Sequence, residues 1–325
     1  MCTAMGFRAQ DFYFGRTLDY EMSFGEEVVI TPRNFPLKFR FCDPQPKHYA
    51  MVGIARVEGE YPLYFDAVNE MGLAMAGLNF VGFAHYRKAE QGKKNVAHFE
   101  LISWVLAQCA NVAEARNLLQ NAVITDTPFS SELPQAQLHW ILADATESIV
   151  VEAVEEGLRI YDNPVGILTN SPTFPEQMLR LNDYAKLTSG DADDSFLPEA
   201  AQQRYSRGMG AQGLPGDWSS MSRFARAAFV GQHGVKAETE WENVGQVFRM
   251  MGAVAMPKGC CCVGDGEQEY TRYTVCANAT RGIYYYTTYH QHQITAVDMQ
   301  SENLDDGKLL RYHMICRERI HWQNG

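Results

Sequence analysis

Two segments at the beginning of the chain, Met1-Cys-Thr-Ala-Met-Gly-Phe7 and Asp11-Phe-Tyr-Phe-Gly-Arg-Thr-Leu-Asp19, decide the fold. Both are mostly apolar and contain β-branched and aromatic residues, and the polar residues between them suit a turn, so each is predicted to form a strand. The first segment places Cys2 directly after the initiator methionine, and the second carries Arg16 and Asp19 close together. We therefore expect a sheet whose first strands carry reactive side chains.

Blocks of strands and blocks of helices follow along the rest of the chain. Apolar residues at a spacing of two predict strands, and a spacing of three and four predicts helices. Strands are predicted over Thr3–Phe7, Asp11–Asp19, Glu27–Thr31, Tyr49–Val57, Leu63–Asn69, Leu73–Asn79, Leu138–Ala143, Ser148–Ala153, Arg159–Asp162, Thr271–Cys276, Gly282–Tyr289 and Gln293–Met299. Helices are predicted over His98–Ala107, Ala113–Gln120, Pro175–Lys186, Ser220–Gln232 and Glu238–Met251. Blocks in place of strict β-α-β alternation favour an α+β layered protein with antiparallel sheets, in a single domain over residues 1–325.

Composition narrows the classes of function. Hydrophobic residues make up 46% of the 325 residues and charged residues 21%, which are ordinary globular values. The 28 Lys and Arg residues against 39 Asp and Glu residues give a net charge of −11. Such a chain repels nucleic-acid phosphates and anionic lipid, so neither nucleic acid nor a membrane is an expected partner. No apolar run in the sequence is long enough to span a membrane. The first residues do not show the basic segment followed by an apolar stretch that is typical of a secretory signal, so we expect a cytoplasmic protein.

The eight cysteines of the chain are expected to be reduced thiols, because no secretory signal is recognised. Three of them are consecutive at Cys260–Cys262, without the C-x-x-C spacing of a zinc site. Neighbouring residues on a strand point to opposite faces, so three adjacent thiols cannot converge on one ion. The triplet is therefore interpreted as small buried core residues in preference to metal ligands.

Cys2 is the most informative single residue. A small second residue lets methionine aminopeptidase remove Met1, which leaves a thiol and a free α-amino group on one residue. That α-amino group has an unperturbed pKa of roughly 7.7–8.0, so it can accept the thiol proton near physiological pH. The nucleophile would then carry its own base. The alternative is an incidental cysteine at position two.

The strand after Cys2 supplies candidate partners for both of these groups. An arginine beside a thiol favours the thiolate, which fits Arg16. An aspartate beside an α-ammonium can fix its orientation through a charge-assisted hydrogen bond, which fits Asp19. The alternative for this pair is a surface ion pair at a turn.

Three further polar residues stand at places where chemistry is plausible. Asn79 and Asn170 each end an apolar strand-like segment, and an amide or a nearby backbone N–H there can donate to a developing oxyanion. Arg223 falls in the first turn of a helix that Ser219 or Ser220 could cap, where a cation opposes the helix dipole. The alternatives are turn-forming asparagines and a solvated arginine.

Taken together, these segments resemble the choloylglycine hydrolase family of N-terminal nucleophile hydrolases, which contains bile salt hydrolases and penicillin V acylases. The resemblance covers nearly the whole chain. In chain order it runs through residues 1–3, 15–19, 61–70, 72–80, 168–174, 219–229 and 282–289.

This resemblance implies a four-layer αββα sandwich, a homotetramer, and hydrolysis of an amide bond without a cofactor or a metal. Cys2 resembles the family's nucleophile, and Arg16 and Asp19 resemble its thiol and amine partners. Asn79 and Asn170 resemble the family's oxyanion-hole residues. Arg223 resembles the final member of its catalytic site.

The resemblance also implies a substrate class. Asn79 is typical of bile salt hydrolases, whereas penicillin V acylases tend to carry tyrosine at that position. The implied substrates are conjugated bile salts. A penicillin V acylase or another N-acyl amide hydrolase is the alternative enzyme, and a non-catalytic binder of amphipathic ligands is the alternative of a different class.

Four residues are expected to contact such a substrate. A rigid apolar steroid needs a hydrophobic cleft with polar groups at one end. Leu18, Phe65 and Phe129 are expected to line it, with core packing as the alternative. Arg207, in the Gly-rich segment Tyr205-Ser-Arg-Gly-Met-Gly210, is expected to favour taurine over glycine conjugates, because a guanidinium suits the three oxygens of a sulfonate. The alternative is an arginine exposed to water.

Overall fold

A computed structural model describes residues 1–191 and 205–324 of the chain. Within them the strands are β1 (Cys2–Arg8), β2 (Phe12–Tyr20), β3 (Glu27–Thr31), β4 (Met51–Glu58), β5 (Tyr61–Asn69), β6 (Ala74–Asn79), β7 (Lys94–Ala97), β8 (Ala122–Thr125), β9 (Leu138–Ala143), β10 (Ser148–Val154), β11 (Gly157–Asp162), β12 (Ile167–Leu168), β13 (Tyr270–Asn278), β14 (Ile283–Thr288), β15 (Gln291–Asp298) and β16 (Leu310–His313). The helices are α1 (Leu101–Leu106), α2 (Val112–Leu119), α3 (Phe174–Arg180), α4 (Ser220–His233) and α5 (Glu240–Gly252).

Two large antiparallel sheets form the centre of the protein. The first has six strands in the order β12-β1-β2-β13-β14-β15. The second has eight strands in the order β11-β10-β9-β6-β5-β4-β3-β16. A small parallel pair, β7 with β8, lies outside them. The strands that were predicted to carry the reactive residues, β1 and β2, are neighbours in the first sheet.

Alternation of side chains along the strands separates two cores. In β9, Ile141 belongs to the core that the two sheets share, whereas Trp140 and Leu142 belong to the core between the second sheet and α1 and α2. On the far side of the first sheet, Val247 and Met251 of α5 pack against β2 and form a further apolar layer between helix and sheet. The layers therefore follow one another as helix, sheet, sheet, helix, and the four-layer αββα prediction is confirmed.

A glycine in β2 lets α5 lie close to the first sheet. A Cβ atom at Gly15 would lie 3.0 Å from Val247 and 3.1 Å from Met251. Contacts this short would push the helix away from the strand that carries Arg16. Gly15 thus keeps the helix layer packed against the strand beneath the site.

The sequence predicted most elements but missed the shortest ones. The strands Glu27–Thr31 and Leu138–Ala143 have the predicted boundaries at both ends. The helix predicted over Pro175–Lys186 is α3 followed by a separate 3₁₀ turn. The strands β7, β8, β12 and β16 were not predicted, because two to four residues are too few to show a period of two.

The interpretation of Cys260–Cys262 as buried core residues is wrong. Cys260 and Cys262 are exposed and Cys261 is half-buried. The triplet lies in the turn that leads into β13, where the Cys261 carbonyl accepts a hydrogen bond from the Glu269 amide at 3.0 Å. Because this segment lies at the surface, no layer of the protein covers the cysteine side chains and they are not part of the core. Among the residues described, no three His, Cys, Asp or Glu side chains are grouped to hold a metal ion.

The helices of this protein are short. None of those described combines the length and the apolar character that crossing a bilayer requires.

Candidate active site

Strand register places Cys2 beside the other reactive residues. Cys2 lies opposite Leu18 of β2, and Leu18 lies opposite Tyr273 of β13. Residues opposite one another share a face of the sheet, so these side chains and Arg16, two residues before Leu18, all face the second sheet. Cys2 is only 2% exposed and lines an apolar cleft between the sheets.

Arg16 links the Cys2 thiol to buried polar groups through hydrogen bonds. Its Nη2 donates to Cys2 Sγ at 3.5 Å and to the Gly77 carbonyl at 3.1 Å. Its Nη1 donates to Asp66 Oδ2 at 2.8 Å and to the Tyr273 hydroxyl at 2.7 Å. Burial lowers the pKa of the guanidinium, but the acidic groups of Tyr273, Cys2 and Asp66 outweigh burial and raise that pKa above its usual value. Arg16 is therefore a fixed cation beside the sulfur of Cys2.

Asp66 was not predicted as part of the site. It is fully buried and accepts hydrogen bonds from Arg16 and from the hydroxyls of Tyr273 and Tyr284. Burial raises the pKa of this carboxyl, and the charge of Arg16 opposes that rise. One feature of the sequence could have identified Asp66: it is an ionisable residue within the mostly apolar strand β5. A charge buried at such a position is costly unless it is paired.

Asp19 faces the opposite side of the first sheet from Arg16, because it is three residues further along the strand. Its Oδ1 accepts from Thr271, and its Oδ2 has no hydrogen-bond partner among the residues described. Its main chain holds the N-terminus: the Met1 ammonium donates to the Asp19 carbonyl, and the Asp19 amide donates to the Met1 carbonyl at 2.7 Å. Burial lowers the pKa of the Met1 α-amine, although the charges of Cys2 and Asp19 oppose this.

Asn170 and Arg223 bind the main chain of Cys2. Asn170 Oδ1 accepts from the Cys2 amide at 2.8 Å and from Arg223 Nη2 at 2.7 Å. Arg223 Nη1 donates to the Cys2 carbonyl and, at 2.7 Å, to Thr3 Oγ1. The first turn of α4 supplies this arginine, which is fully buried, and burial lowers its pKa. Together they fix the backbone from which the thiol projects.

Asn79 lies where the cleft meets the N-terminus. The Asn170 amide nitrogen donates to the Asn79 carbonyl at 2.8 Å. An amide nitrogen carries two hydrogens, so the second one of Asn170 is left for another acceptor. The half-buried Asn79 side chain lines the cleft together with Cys2. Two amides beside one thiol can stabilise an oxyanion on a carbonyl that the thiolate attacks.

The cleft above Cys2 encloses about 230 Å³, and apolar side chains dominate its walls. The three apolar residues predicted to contact substrate, Leu18, Phe65 and Phe129, all line it. Other lining residues are Tyr20, Phe24, Leu63, Tyr64, Phe99, Leu133, Pro134, Ala136 and Leu138, with Arg56 and His98 as polar members. The cleft suits a flat apolar molecule whose polar end reaches Cys2.

Arg207 is exposed, and the described residues that line the cleft do not include it. Gly208 adopts a φ of 77° and begins the 3₁₀ turn Met209–Ala211. The Gly210 carbonyl accepts from the Thr188 amide at 2.9 Å, which ties this turn to the segment after α3. The role of Arg207 in taurine recognition stays a prediction.

Comparison with known proteins agrees with this geometry. The profile of the family described as linear amide C–N hydrolases, choloylglycine hydrolase family, matches residues 2–312. A protein of Lactiplantibacillus plantarum named bile salt hydrolase/transferase is 47% identical, over 100% of both chains. The crystal structure of a mutant conjugated bile acid hydrolase from Clostridium perfringens superposes with a TM-score of 0.92 at 35% identity, and covers 100% of both chains. Penicillin V acylase from Agrobacterium tumefaciens shares the fold, with a TM-score of 0.74 at 23% identity over 95% of this chain and 90% of that one. The chain belongs to the choloylglycine hydrolase family.

Proposed function

We propose that this protein hydrolyses the amide bond of glycine- and taurine-conjugated bile salts, with Cys2 as the nucleophile once Met1 has been removed. The observation that carries the proposal is the Cys2 thiol, 3.5 Å from the buried guanidinium of Arg16, at one end of an apolar cleft. The names of the bile salt hydrolase relatives support the same substrate class.

The reaction begins with transfer of the thiol proton to the α-amine of Cys2. Arg16 stabilises the thiolate, which attacks the amide carbonyl of the substrate. The carbonyl oxygen becomes an oxyanion, and donors at Asn79 and Asn170 stabilise it. Asn170 and Arg223 hold Cys2 in place during this step, since Asn170 accepts from the Cys2 nitrogen, which becomes the α-amine once Met1 is removed, and Arg223 donates to the Cys2 carbonyl.

The second half of the reaction releases both products. The α-ammonium of Cys2 donates its proton to the leaving nitrogen, and glycine or taurine departs. Asp19 is proposed to orient this ammonium, because its main-chain carbonyl binds the Met1 ammonium and its buried Oδ2 has no hydrogen bond to any described residue. Water then attacks the thioester, gives its proton to the α-amine, and frees the bile acid and the thiol.

A thioester that water can attack is equally open to an amine. The relative from Lactiplantibacillus plantarum is named a hydrolase/transferase. We therefore include transfer of the acyl group from Cys2 to an amine in the proposed function.

The assembly and the location of the protein complete the proposal. Several large apolar side chains are exposed on one chain, among them Trp241 and Trp322 at 74% and 68%. The homotetramer is proposed from the family to which the chain belongs, and these exposed side chains are surfaces that its contacts would cover. The net charge of −11 supports a location in the cytoplasm, away from anionic lipid.

Hydrolysis of glycocholate, taurocholate and penicillin V by the processed protein tests the proposal. We expect both bile salts to be cleaved faster than penicillin V, because apolar side chains dominate the cleft and a steroid offers them a large apolar surface. Faster cleavage of penicillin V would establish the alternative enzyme. If iodoacetamide labels Cys2 while bile salts bind but are never cleaved, the protein is a binder.

A further inference from the structure

Side chains that the reaction itself does not use bind the main chain around Asn170. Residues 169–173 connect β12 to α3 and belong to neither a strand nor a helix. Their N–H and C=O groups therefore have no partners in a regular ladder, and buried groups of this kind need other hydrogen bonds. Thr169 and Asn170 are 0% and 6% exposed, so side chains supply these bonds in place of bulk water.

Gln177 binds several groups of this segment. It projects from α3 and is fully buried. Its Nε2 donates to the Asn170 carbonyl and, at 2.9 Å, to the Pro172 carbonyl. Its Oε1 accepts from the Thr169 hydroxyl at 2.8 Å. One side chain thus holds Thr169, Asn170 and Pro172 together.

Two more side chains complete the bonding around Asn170. Ser220 Oγ, at the start of α4, accepts from the Asn170 amide at 2.9 Å. His139 of β9 is fully buried, and its Nε2 donates to the Thr169 carbonyl at 2.9 Å, because a carbonyl oxygen can only accept. Side chains therefore bind both main-chain groups of Asn170, Ser220 at the amide and Gln177 at the carbonyl.

The position of the Asn170 side chain depends on this main chain. Its Oδ1 accepts from the Cys2 amide, and its Nδ2 donates to the Asn79 carbonyl and has one hydrogen left. A displacement of about 1 Å in a group that acts on the transition state can cost about 100-fold in rate. Gln177 is not among the described residues that line the cleft, so it influences the reaction through the main chain of Asn170.

We propose, on the basis of the proposed function, that Gln177 is a positioning residue of the oxyanion hole. It fixes the Asn170 main chain so that the remaining Nδ2 hydrogen meets the oxyanion on the substrate carbonyl. A buried amide costs free energy unless it is bonded, and an apolar side chain could fill the same space on α3. The glutamine is there because the segment that carries Asn170 needs its donors and its acceptor.

A double-mutant cycle with Asn170 tests this role. Gln177→Met keeps the length of the side chain and removes its amide. Hydrolysis of glycocholate is measured for the processed parent protein, Gln177→Met, Asn170→Ala and the double variant, and near-ultraviolet circular dichroism gives the folded fraction of each. Gln177→Met should lower kcat about 10- to 100-fold and change KM little, since the walls of the apolar cleft are unaltered. In the Asn170→Ala background the same substitution should leave kcat unchanged, because no amide remains to be positioned.

Two further variants complete the experiment. Gln291→Met is the matched control: Gln291 is 2% exposed and lies on β15, at the opposite edge of the first sheet from β12, so kcat should be that of the parent protein. Ser220→Ala removes the acceptor of the Asn170 amide and replaces Gln177→Met in the cycle if that variant does not fold. It should lower kcat by a smaller factor, again only when Asn170 is present.

Each contrary result has a distinct meaning. An equal loss of kcat with and without Asn170, in Gln177→Met or in its replacement, overturns the positioning role, because the loss then does not pass through Asn170. Parent kcat in Gln177→Met, or a rise in KM alone, also overturns it while the proposed hydrolase stands. Parent kcat in Asn170→Ala removes the oxyanion role of Asn170 and this role of Gln177 with it. Absence of cholate from the parent protein overturns the proposed function itself.

Discussion

At the scale of single residues, we propose that Asn170 has two tasks. Its oxygen fixes the Cys2 amide, and its nitrogen has one hydrogen left for an oxyanion. Asn170→Ala should lower kcat for glycocholate by roughly 10²–10³, because one donor to the transition state is lost. Asn182→Ala is a suitable control, because Asn182 is exposed and its side chain, among the described residues, bonds only the Leu179 carbonyl. Steady-state kinetics would contradict this role if the two variants lost activity equally.

The ion pair of Arg16 with Asp66 is fully buried, which makes it sensitive to removal of one partner. Asp66→Asn keeps the shape of the side chain but leaves the Arg16 cation without its counter-charge. The free energy of unfolding should fall by about 3–5 kcal/mol, as for other broken buried pairs. Urea unfolding measures this loss. A loss below about 1 kcal/mol would mean that solvent or another group compensates Arg16.

The residues of the site could be predicted to different degrees. Cys2, Arg16 and Asp19 lie within one hairpin, so position two and a short motif were enough to select them. Asp66 could not be selected, because its partner Arg16 lies 50 residues away in the sequence and the ion pair matters only because both residues are buried. Residue type alone does not distinguish a buried carboxylate from a surface one.

At the scale of elements, a loop arginine supports one wall of the cleft. Arg40 Nη2 donates to the Phe129 carbonyl at 2.8 Å, and its guanidinium lies 5.8 Å from the ring of Phe99 and 5.6 Å from the ring of Phe129. Both rings line the cleft. Arg40→Met should raise KM for glycocholate about fivefold while kcat changes little, since a cation–π contact of this kind contributes about 1 kcal/mol.

A surface arginine outside the cleft provides the control for this prediction. Arg116→Met removes an arginine of α2 that pairs with Asp162 and should leave KM unchanged. A fall in kcat without a rise in KM in Arg40→Met would contradict a role of Arg40 in the wall.

Glu100, just before α1, should make the stability of the protein depend on pH. Burial raises the pKa of this carboxyl from 4.5 to about 7, although the backbone N–H groups of Arg40 and Ala97 oppose the rise. The folded state thus keeps a proton that the unfolded state loses near pH 4.5. The stability that Glu100 contributes is complete below that pH and is lost as the pH rises through about 7.

Comparison with a neutral variant measures this contribution. Relative to Glu100→Gln, the parent protein should lose roughly 1–3 kcal/mol of unfolding free energy between about pH 5 and pH 8. Urea unfolding of both proteins at the two pH values gives the difference, and other titrating groups cancel. A pH-independent difference would show that Glu100 is charged throughout.

Elements with a clear period were predictable, and their neighbours in the sheets were not. The strands β9 and β10 are short, nearly continuous apolar runs whose residues are almost all buried, and such a run is enough to predict a strand. The pairing of β2 with β13 joins segments about 250 residues apart, and no local pattern records it. The predicted order of layers therefore depended on resemblance to a family, whereas the strand boundaries depended on the residues themselves.

The whole molecule is expected to be a tetramer. Sedimentation velocity of the processed protein should give a mass near four times the 36.7 kDa of one chain. The exposed Trp241 and Trp322 side chains should then be shielded, so their fluorescence should be quenched less by iodide than in a dissociated sample. A stable monomer with full activity would contradict the proposed assembly.

The central claim is that the thiol of an N-terminal cysteine carries the bile acyl group. Rapid quenching of the processed protein with glycocholate, followed by mass spectrometry of the N-terminal peptide, tests it directly. The account predicts a transient cholyl thioester on a peptide that begins with Cys2, equal amounts of released glycine and cholate, and neither adduct nor products in Cys2→Ser. Intact glycocholate after incubation with the processed protein, or turnover by Cys2→Ser at the parent rate, would contradict the account.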